Sequence, residues 1–305
     1  MTFHTKFRPT KFSQVLGNET VIKSLQGNLA KRRSQCFLFH SKIPGLGKTT
    51  LARLGAKAIG DKDPTEIDGA TYNGVEDMRT ITGTLSYRPL SGETKAIIID
   101  ECHRLSGQAW DSILKATEEP PDHVFWFFCT TLISKVPATI ISRCSKYELK
   151  EVPQDKILML LDNVVEKEGL VCDERISHLC AKVAHGSPRQ ALVNLGICAE
   201  AKSVKEAMEL LEEAEGKEGI IELARALLKR EPWTKVQRIL NDLKDENPES
   251  VRQVIRAYFT TVILGAKNVD QAGRAAEVLS AFSQPCYSGD GISPIVLSCC
   301  EVLLS

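Results

Sequence analysis

The chain has 305 residues and no net charge, with 39 lysines and arginines balanced by 39 aspartates and glutamates. Apolar residues make up 43% and charged residues 26%, a composition typical of a soluble globular protein with two or three domains. No signal-peptide pattern is present, and no stretch of about 18 apolar residues occurs, so we expect neither export nor a membrane span.

The charge is unevenly distributed along the chain. Residues 1–150 hold 21 basic and 15 acidic residues, whereas residues 151–305 hold 18 and 24. A basic first half is compatible with nucleic-acid binding, although a nucleotide-binding domain alone would explain it. The ten cysteines form no C-x-x-C pair, so we expect reduced thiols and no zinc ribbon.

Strand and helix patterns alternate through the first half of the chain, which predicts an α/β domain with a doubly wound parallel sheet. The predicted strands are 36–39, a short one ending at 67–69, 95–101, 123–129 and 146–149. The predicted helices are 21–30, 48–58, 74–85 and 108–117, with a turn at 88–95 and a short helix or turn at 136–144.

After Pro153 the pattern becomes entirely helical. We predict three domains: an α/β domain over 1–151, a small helical domain over 152–203 and a second helical domain over 204–305. Gly169 and Gly186 are expected to cap helices. The very apolar last helix should lie in a core or at a subunit interface. The predicted helices are 156–168, 174–184, 189–201, 204–215, 219–229, 233–243, 249–264, 271–282 and 292–304.

The chain is organised around a strand, a glycine-containing loop and a helix over residues 35–50. The loop reads Pro44, Gly45, Leu46, Gly47, Lys48, Thr49 and Thr50, which is typical of a phosphate-binding P-loop. Its backbone N–H groups can surround an anion, Lys48 can reach the phosphates and Thr49 can hold Mg²⁺. Lys42 stands where the full pattern has its first glycine, so a chance match is the alternative.

A second motif supports the nucleotide site. The predicted strand 95–101 ends in Asp100 and Glu101, and acidic residues at the carboxyl end of a buried strand face the crevice where α/β sheets bind ligands. In a P-loop protein Asp100 would hold Mg²⁺, and Glu101 would polarise the attacking water. The alternative is an ordinary solvated strand end.

The order of these motifs resembles the AAA+ clamp-loader ATPases. This family includes the bacterial gamma/tau subunit of the replicative polymerase, the small subunits of replication factor C and their phage counterparts. The resemblance covers about residues 5–195. The motifs that carry it are KFRP (6–9), PGLGKTT (44–50), IIIDECHRLS (97–106), ATEEPP (116–121), CTT (129–131) and ISRC (141–144). The gamma/tau type usually has a cysteine-rich zinc module after the P-loop; residues 51–95 hold no cysteine, as in compact subunits and phage relatives.

The resemblance implies a role for each matching residue. Thr131 would be sensor 1 near the γ-phosphate, and Arg143 an arginine finger acting on a neighbouring subunit's ATP. Arg189 would be sensor 2 on a helical lid domain. The alternatives are a surface salt bridge for Arg143 and an ordinary helix-start arginine for Arg189. The adenine pocket would be lined by His4, Arg8, Pro9, Leu16 and Gly17.

The resemblance also implies partners and a location. The chain would bind ATP and Mg²⁺ and join other subunits in a pentameric spiral. Its 204–305 domain would form the oligomerisation collar. The spiral would load a sliding clamp onto primer–template DNA, in the cytoplasm of a bacterium or of a phage-infected host. Arg79 and Lys135 are candidate phosphate contacts, with a solvated charge as the alternative for each.

Three other functions are weighed against this prediction. A branch-migration helicase of the AAA+ class would be expected to carry a winged-helix domain at its carboxyl end, where we predict helices. A non-hydrolysing ATP-binding scaffold would not need Glu101. A small-molecule P-loop kinase would need a second substrate pocket, for which the sequence gives no signal.

Overall fold

The computed structural model describes residues 2–88, 92–244, 246–266, 268–286 and 291–304. They form two compact units, 1–204 and 205–305. The division of the first unit into an α/β domain and a helical domain stays a prediction. Part of the predicted turn at 88–95 lies outside the described residues. None of the helices in the ranges above is long and apolar enough to cross a membrane.

The first unit contains a parallel sheet, as predicted. Among the described residues its strand order is β2-β3-β4-β1-β5, and every neighbouring pair is parallel. Strand β3 ends at Asp100, one residue earlier than predicted, because Glu101 leaves the extended conformation with a φ of 46°. The strands are β1 Cys36–His40, β2 Thr65–Asp68, β3 Lys95–Asp100, β4 Val124–Thr130 and β5 Ser145–Glu148.

Helices cover both faces of this sheet, with alternate strand residues pointing to each face. Leu38, Ile97 and Phe128 belong to the core beneath α4 and α5, and Phe39, Ile98 and Phe127 to the core beneath α2 and α3. The sheet is therefore fixed on both sides, and its carboxyl edge, where β1 and β3 end, is held rigidly. The helices are α1 Phe3–Lys6, α2 Glu19–Ala30, α3 Lys48–Ile59, α4 Val75–Gly83, α5 Gly107–Glu118 and α6 Ala138–Ile141.

Three further helices complete the first unit: α7 Gln154–Glu168, α8 Glu174–Val183 and α9 Pro188–Ile197. Gly169 ends α7 with a φ of 64°, which confirms its predicted cap. The predicted cap at Gly186 is wrong, because α8 ends at Val183 and the chain turns away at His185. Gly186, with a φ of 79°, instead allows the chain to pass close to Glu151, because an added Cβ would lie 2.6 Å from Glu151 Cβ.

The second unit is helical in all of its described elements. Its core includes Leu227, Val236, Ile255 and Phe259, to which α14 adds Ile295, Cys299 and Val302. The helices are α10 Val204–Leu228, α11 Trp233–Asp242, α12 Pro248–Leu264, α13 Val269–Ala281 and α14 Ser293–Leu304. The last helix was expected to lie in a core or at a subunit interface. One face of α14 does pack in this core, whereas Leu297 and Leu304 on the same helix are exposed.

One predicted break in this unit is wrong. We expected two helices, over 204–215 and 219–229, but α10 is continuous across both. Glycine in a helix interior costs only about 1 kcal/mol, and no proline interrupts this segment. Gly219 also packs closely against Leu243, whose Cδ2 would lie 3.2 Å from an added Cβ. Tertiary packing therefore outweighs the local glycine signal.

Candidate nucleotide-binding site

The P-loop joins β1 to α3 in the predicted arrangement. Gly45 and Gly47 have φ values of 79° and 96°, a left-handed conformation that glycine adopts without steric cost. Lys48 begins α3, is only 6% exposed and donates a hydrogen bond of 2.9 Å to the Ser41 hydroxyl. Ser41 in turn donates to the Ile43 carbonyl at 2.7 Å. Ser41 therefore positions the Lys48 ammonium through hydrogen bonds within the loop.

Burial lowers the pKa of Lys48, and the nearby carboxylates of Glu101 and Asp100 oppose that shift. A buried ammonium that lacks a direct carboxylate partner gains strongly from an incoming anion. Sequence reasoning missed Ser41. The available signal was a small polar residue directly after a buried strand, at the mouth of the loop.

Thr49 and Asp100 meet at the carboxyl edge of the sheet. The Thr49 hydroxyl donates to Asp100 Oδ2 at 2.7 Å. Hydroxyl and carboxylate oxygens are hard ligands, and Mg²⁺ typically binds one or two such protein groups together with substrate phosphates and waters. The donor set therefore fits Mg²⁺ held jointly with a nucleotide. No cluster of three or more His, Cys, Asp or Glu residues suited to a metal occurs within the described ranges.

Glu101 lies beside this pair in a conformation set by close packing. Its φ of 46° is unusual for a residue with a Cβ. Gly69, after β2, donates its N–H to the Asp100 carbonyl at 2.8 Å, and its Cα passes so near that an added Cβ would lie 2.9 Å from the Glu101 carbonyl oxygen. Thr131 Oγ1 is 3.5 Å from Glu101 Oε2, and His103 Nδ1 is 3.4 Å from the same oxygen.

Lys48, Thr49, Asp100 and Glu101 line a cavity of about 330 Å³. The predicted residues His4, Arg8, Pro9, Leu16, Pro44, Gly45, Leu46, Gly47, Lys48, Thr49, Thr50, Asp100, Glu101 and Arg189 all line it. Gly17 does not, since it is buried with a φ of 65° and packs against Val152. Sequence reasoning did not assign the remaining lining residues to the site: Thr5, Phe7, Gln14, Val15, Leu160, Pro188 and Leu192. Leu160 and Leu192 are apolar helix residues, which give the same signal as core residues.

Helix α9 closes one side of the cavity. Ser187 caps this helix by accepting the N–H of Gln190 at 3.3 Å. An added Cβ on Gly45 would lie 2.3 Å from Ser187 Oγ and 3.0 Å from Arg189 Cβ. The P-loop and the start of α9 are therefore in direct contact, and Arg189 reaches the cavity from that side. Only glycine at position 45 permits this approach.

Arg8 brings a second guanidinium to the cavity. Its pKa is lowered by burial and by the positive charges of Arg53 and Arg189, while Glu66 and Asp100 oppose the shift. Such crowding of positive charge favours a bound anion. Sequence reasoning assigned Arg8 to the adenine pocket. In the structure its guanidinium is also close enough to charged side chains of the site for their charges to act on it.

Arg143 lies away from the residues that line the cavity. Its guanidinium is paired with Glu118, and it also donates to the Thr139 carbonyl. Within one chain, the structure therefore does not bring Arg143 to the nucleotide site. Thr131 is likewise outside the cavity lining but contacts it through Glu101.

The two candidate DNA contacts are both exposed. Arg79 on α4 pairs with Glu76 at 2.7 Å, one turn earlier on the same helix. Lys135 lies in the short helical turn Ile133–Lys135 after β4. The Arg79 pair is of the solvated kind that contributes little to stability, so its guanidinium can exchange partners at little cost.

Comparison with known proteins relates the chain to subunits of DNA polymerase III. Residues 61–153 match the family described as DNA polymerase III, delta subunit. The gamma subunit of Buchnera aphidicola is 34% identical over 63% of this chain and 61% of that protein. The tau subunit of Bacillus subtilis is 34% identical over 61% of this chain and 37% of that protein. The chain thus spans between one third and two thirds of the length of these relatives.

Solved structures show the same fold. The Holliday junction branch migration motor RuvB of Thermotoga maritima superposes with a TM-score of 0.56, at 20% identity, over 68% of this chain and 72% of that one. A RuvB variant from the same organism, P216G, gives a TM-score of 0.55 at 18% identity over 70% of this chain and 78% of that one. The chain therefore shares the fold of these RuvB structures, and about three fifths of it is similar in sequence to the DNA polymerase III gamma and tau subunits.

Proposed function

We propose that this chain is an ATPase subunit of a sliding-clamp loader. The observation that carries the proposal is the convergence of Lys48, the Thr49–Asp100 pair and Glu101 on one cavity that Arg189 also lines. A chain with a purely structural role would not need the water-activating carboxylate beside the phosphate-binding lysine. The shared fold and the gamma and tau relatives support the same conclusion.

The polar residues in and beside the cavity divide the tasks of this reaction. The P-loop N–H groups and Lys48 bind the β- and γ-phosphates of ATP. Thr49 and Asp100 would hold Mg²⁺, which neutralises charge that develops on the phosphates. Glu101 orients a water molecule in line with the γ-phosphate and accepts its proton. Arg189 senses the γ-phosphate from α9, and Thr131 positions Glu101 or the phosphate from the end of β4.

Arg143 would act on a neighbouring subunit. In this chain it does not line the cavity, and its present partner Glu118 is a half-exposed surface carboxylate. A guanidinium supplied in trans stabilises transition-state charge only when subunits are assembled. Hydrolysis would thereby depend on the geometry of the spiral. ATP binding would assemble a form able to hold an open clamp, and DNA entry would trigger hydrolysis and release the closed clamp.

The first test is steady-state ATPase activity. The protein is assayed alone, with primer–template DNA, and with DNA, clamp and partner subunits. We expect stimulation by DNA and clamp that is abolished in Glu101→Gln and in Arg143→Ala, and retained in Arg175→Ala. Arg175 is a suitable control because it is an exposed arginine on α8, 4.0 Å from the carboxylate of Asp173. An ATPase rate that does not change on addition of DNA and clamp, even with the partner subunits present, would overturn the proposal.

The DNA-contact role of Arg79 and Lys135 is tested by salt dependence. We expect the double substitution to alanine to weaken binding of all duplex sequences equally. The slope of log affinity against log salt concentration is negative. Its magnitude should decrease by about one for each phosphate that is no longer neutralised by a basic side chain. An unchanged slope would assign both residues to the solvated surface.

The same experiments separate this function from the alternatives. A non-hydrolysing scaffold would bind ATP without turnover. A branch-migration helicase would respond to four-way junctions and not to the clamp. The described part of 205–305 contains helices and no strand, so it offers no β-wing of a winged-helix domain.

A further inference from the structure

His103 lies directly behind the carboxylate to which the proposed mechanism assigns water activation. It belongs to the short helical turn Cys102–Arg104 that follows Glu101. Its side chain is only 7% exposed, whereas that of Glu101 is 33% exposed. The imidazole is thus part of the fixed wall, and the carboxylate lies between that wall and the cavity.

One ring nitrogen faces two oxygens. His103 Nδ1 is 3.0 Å from Thr130 Oγ1 and 3.4 Å from Glu101 Oε2. Thr130 is itself immobilised, because it is fully buried at the end of β4 and its hydroxyl accepts the N–H of Leu132 at 2.9 Å. The imidazole therefore connects Thr130 at the end of β4 to Glu101, the residue that directly follows the adjacent strand β3.

The chemistry of these groups decides which nitrogen carries the proton. An ionised carboxylate can only accept hydrogen bonds, so an unprotonated Nδ1 would place a lone pair against Oε2. A protonated Nδ1 donates to Thr130 Oγ1 and presents its positive end to Glu101 Oε2. Burial lowers the pKa of His103, and the positive charges of Arg104, Lys135 and Lys48 add to this, while Glu101 opposes it. The contact with Glu101 Oε2 therefore favours the tautomer that carries its proton on Nδ1.

We propose that His103 is a positioning residue for Glu101, acting as the Nδ1–H tautomer that ties the carboxylate to Thr130 at the end of β4. This inference rests on the proposed function in one respect, namely that Glu101 orients the attacking water. The residue after Thr130 is Thr131, whose hydroxyl lies 3.5 Å from the same carboxylate oxygen. Two side chains, His103 and Thr131, therefore contact the Glu101 carboxylate.

Asparagine and glutamine substitutions distinguish this role from a structural one. The Asn amide nitrogen is attached at Cγ, where Nδ1 is attached, whereas the Gln amide reaches the position of Nε2. We expect kcat to fall about 10- to 100-fold in His103→Gln and His103→Leu, as when a hydrogen bond to a charged group is removed. His103→Asn should recover most of that decrease, and KM should stay within about twofold throughout.

His178→Asn is the matched control, because His178 is an exposed histidine on α8, 3.9 Å from Glu174. Equal activity of the Asn and Gln variants, or a rise in KM without a change in kcat, would overturn the proposal. Failure of the proposed function is seen separately: the wild-type assembly would then lack turnover, or Glu101→Gln would retain it.

A second measurement needs no turnover. The ring ¹⁵N shifts and two-bond ¹H–¹⁵N couplings of the full chain report the tautomer of each of its six histidines. The His103 signals are assigned by their disappearance in His103→Asn. We expect a protonated Nδ1, with the proton shifting to Nε2 in part when Glu101 is replaced by alanine. A proton on Nε2 in the wild-type protein would refute the inference, since Nδ1 could then only accept from Thr130.

Discussion

Gly69→Ala tests whether the left-handed conformation of Glu101 is imposed by its packing against the loop after β2. An added Cβ at position 69 would lie 2.9 Å from the Glu101 carbonyl oxygen and 3.0 Å from that of Asp100. Both atoms are backbone, so no side-chain rotation relieves the clash. The chain at Glu101 must move by a few tenths of an ångström. Overpacking of this kind costs about 1–3 kcal/mol of unfolding free energy.

The same displacement should slow hydrolysis without weakening ATP binding. A misplacement of about 1 Å in a catalytic group can cost 10²-fold in rate, so a few tenths should cost about 10-fold in kcat. The atoms nearest to the added methyl group belong to the backbone of Asp100 and Glu101, so affinity for a fluorescent ATP analogue should change less than about twofold. Urea unfolding and steady-state ATPase assays of the assembled complex measure the two effects.

Gly83→Ala provides the comparison. Gly83 ends α4, and an added Cβ would meet nothing within 4 Å. Alanine there should leave the rate unchanged and stabilise the protein by up to about 1 kcal/mol. If Gly69→Ala matched Gly83→Ala in both stability and kcat, the packing against Asp100 and Glu101 would not constrain the site, and the reasoning would fail.

Three further predictions concern stability. Gly55→Ala should lower the free energy of unfolding by about 1–3 kcal/mol, because the added Cβ would lie 2.7 Å from Phe127 Cε1. Gly27→Ala, whose Cβ would meet nothing within 4 Å, should raise it by about 0.5–1 kcal/mol, and chemical denaturation measures both changes. Arg252 and the Cys286 N–H lower the pKa of Glu249 to about 2. The wild-type protein should therefore be more stable than Glu249→Gln, with the full difference in unfolding free energy above pH 4.5 and none as the pH falls toward 2. A difference that does not change with pH would contradict this. The folded chain holds the pKa of Lys48 below 10.5, so wild-type stability relative to Lys48→Met should rise as pH is raised toward that value, which denaturation at several pH values measures.

Local patterns were sufficient to predict most of the first unit. Apolar runs predicted the strands β1, β3 and β4 to within one residue at each end, because a buried parallel strand is apolar throughout. The P-loop glycines and the acidic strand end then follow from chain order alone. In the second unit the same reasoning split α10 in two, since glycine spacing was taken as a break and packing against Leu243 was not visible.

The parts of the site that local patterns could not predict are contacts between distant segments. Gly69 and Glu101 are far apart in the chain, and nothing in either segment indicates that their backbones touch. The contact between Ser187 and Gly45 joins two segments that are still farther apart along the chain. His103 lies next to the acidic motif in sequence, but its contact with Thr130 depends on the pairing of β3 with β4. Such features become visible only once the sheet order is known.

The pairing of Arg143 with Glu118 has a consequence for its proposed action in trans. A half-exposed ion pair of this kind is worth about 0–1 kcal/mol, so releasing the guanidinium toward a neighbour's ATP costs little. An arginine finger contributes about 10³- to 10⁵-fold in rate, equivalent to about 4–7 kcal/mol. We therefore expect Glu118→Gln to change the ATPase rate of the assembly by less than about fivefold in either direction, and Arg143→Ala to lower it by about 10³-fold or more. A large decrease in Glu118→Gln would mean that the pair persists in the active assembly, and that Arg143 acts by holding its own chain in shape and not on a neighbouring nucleotide.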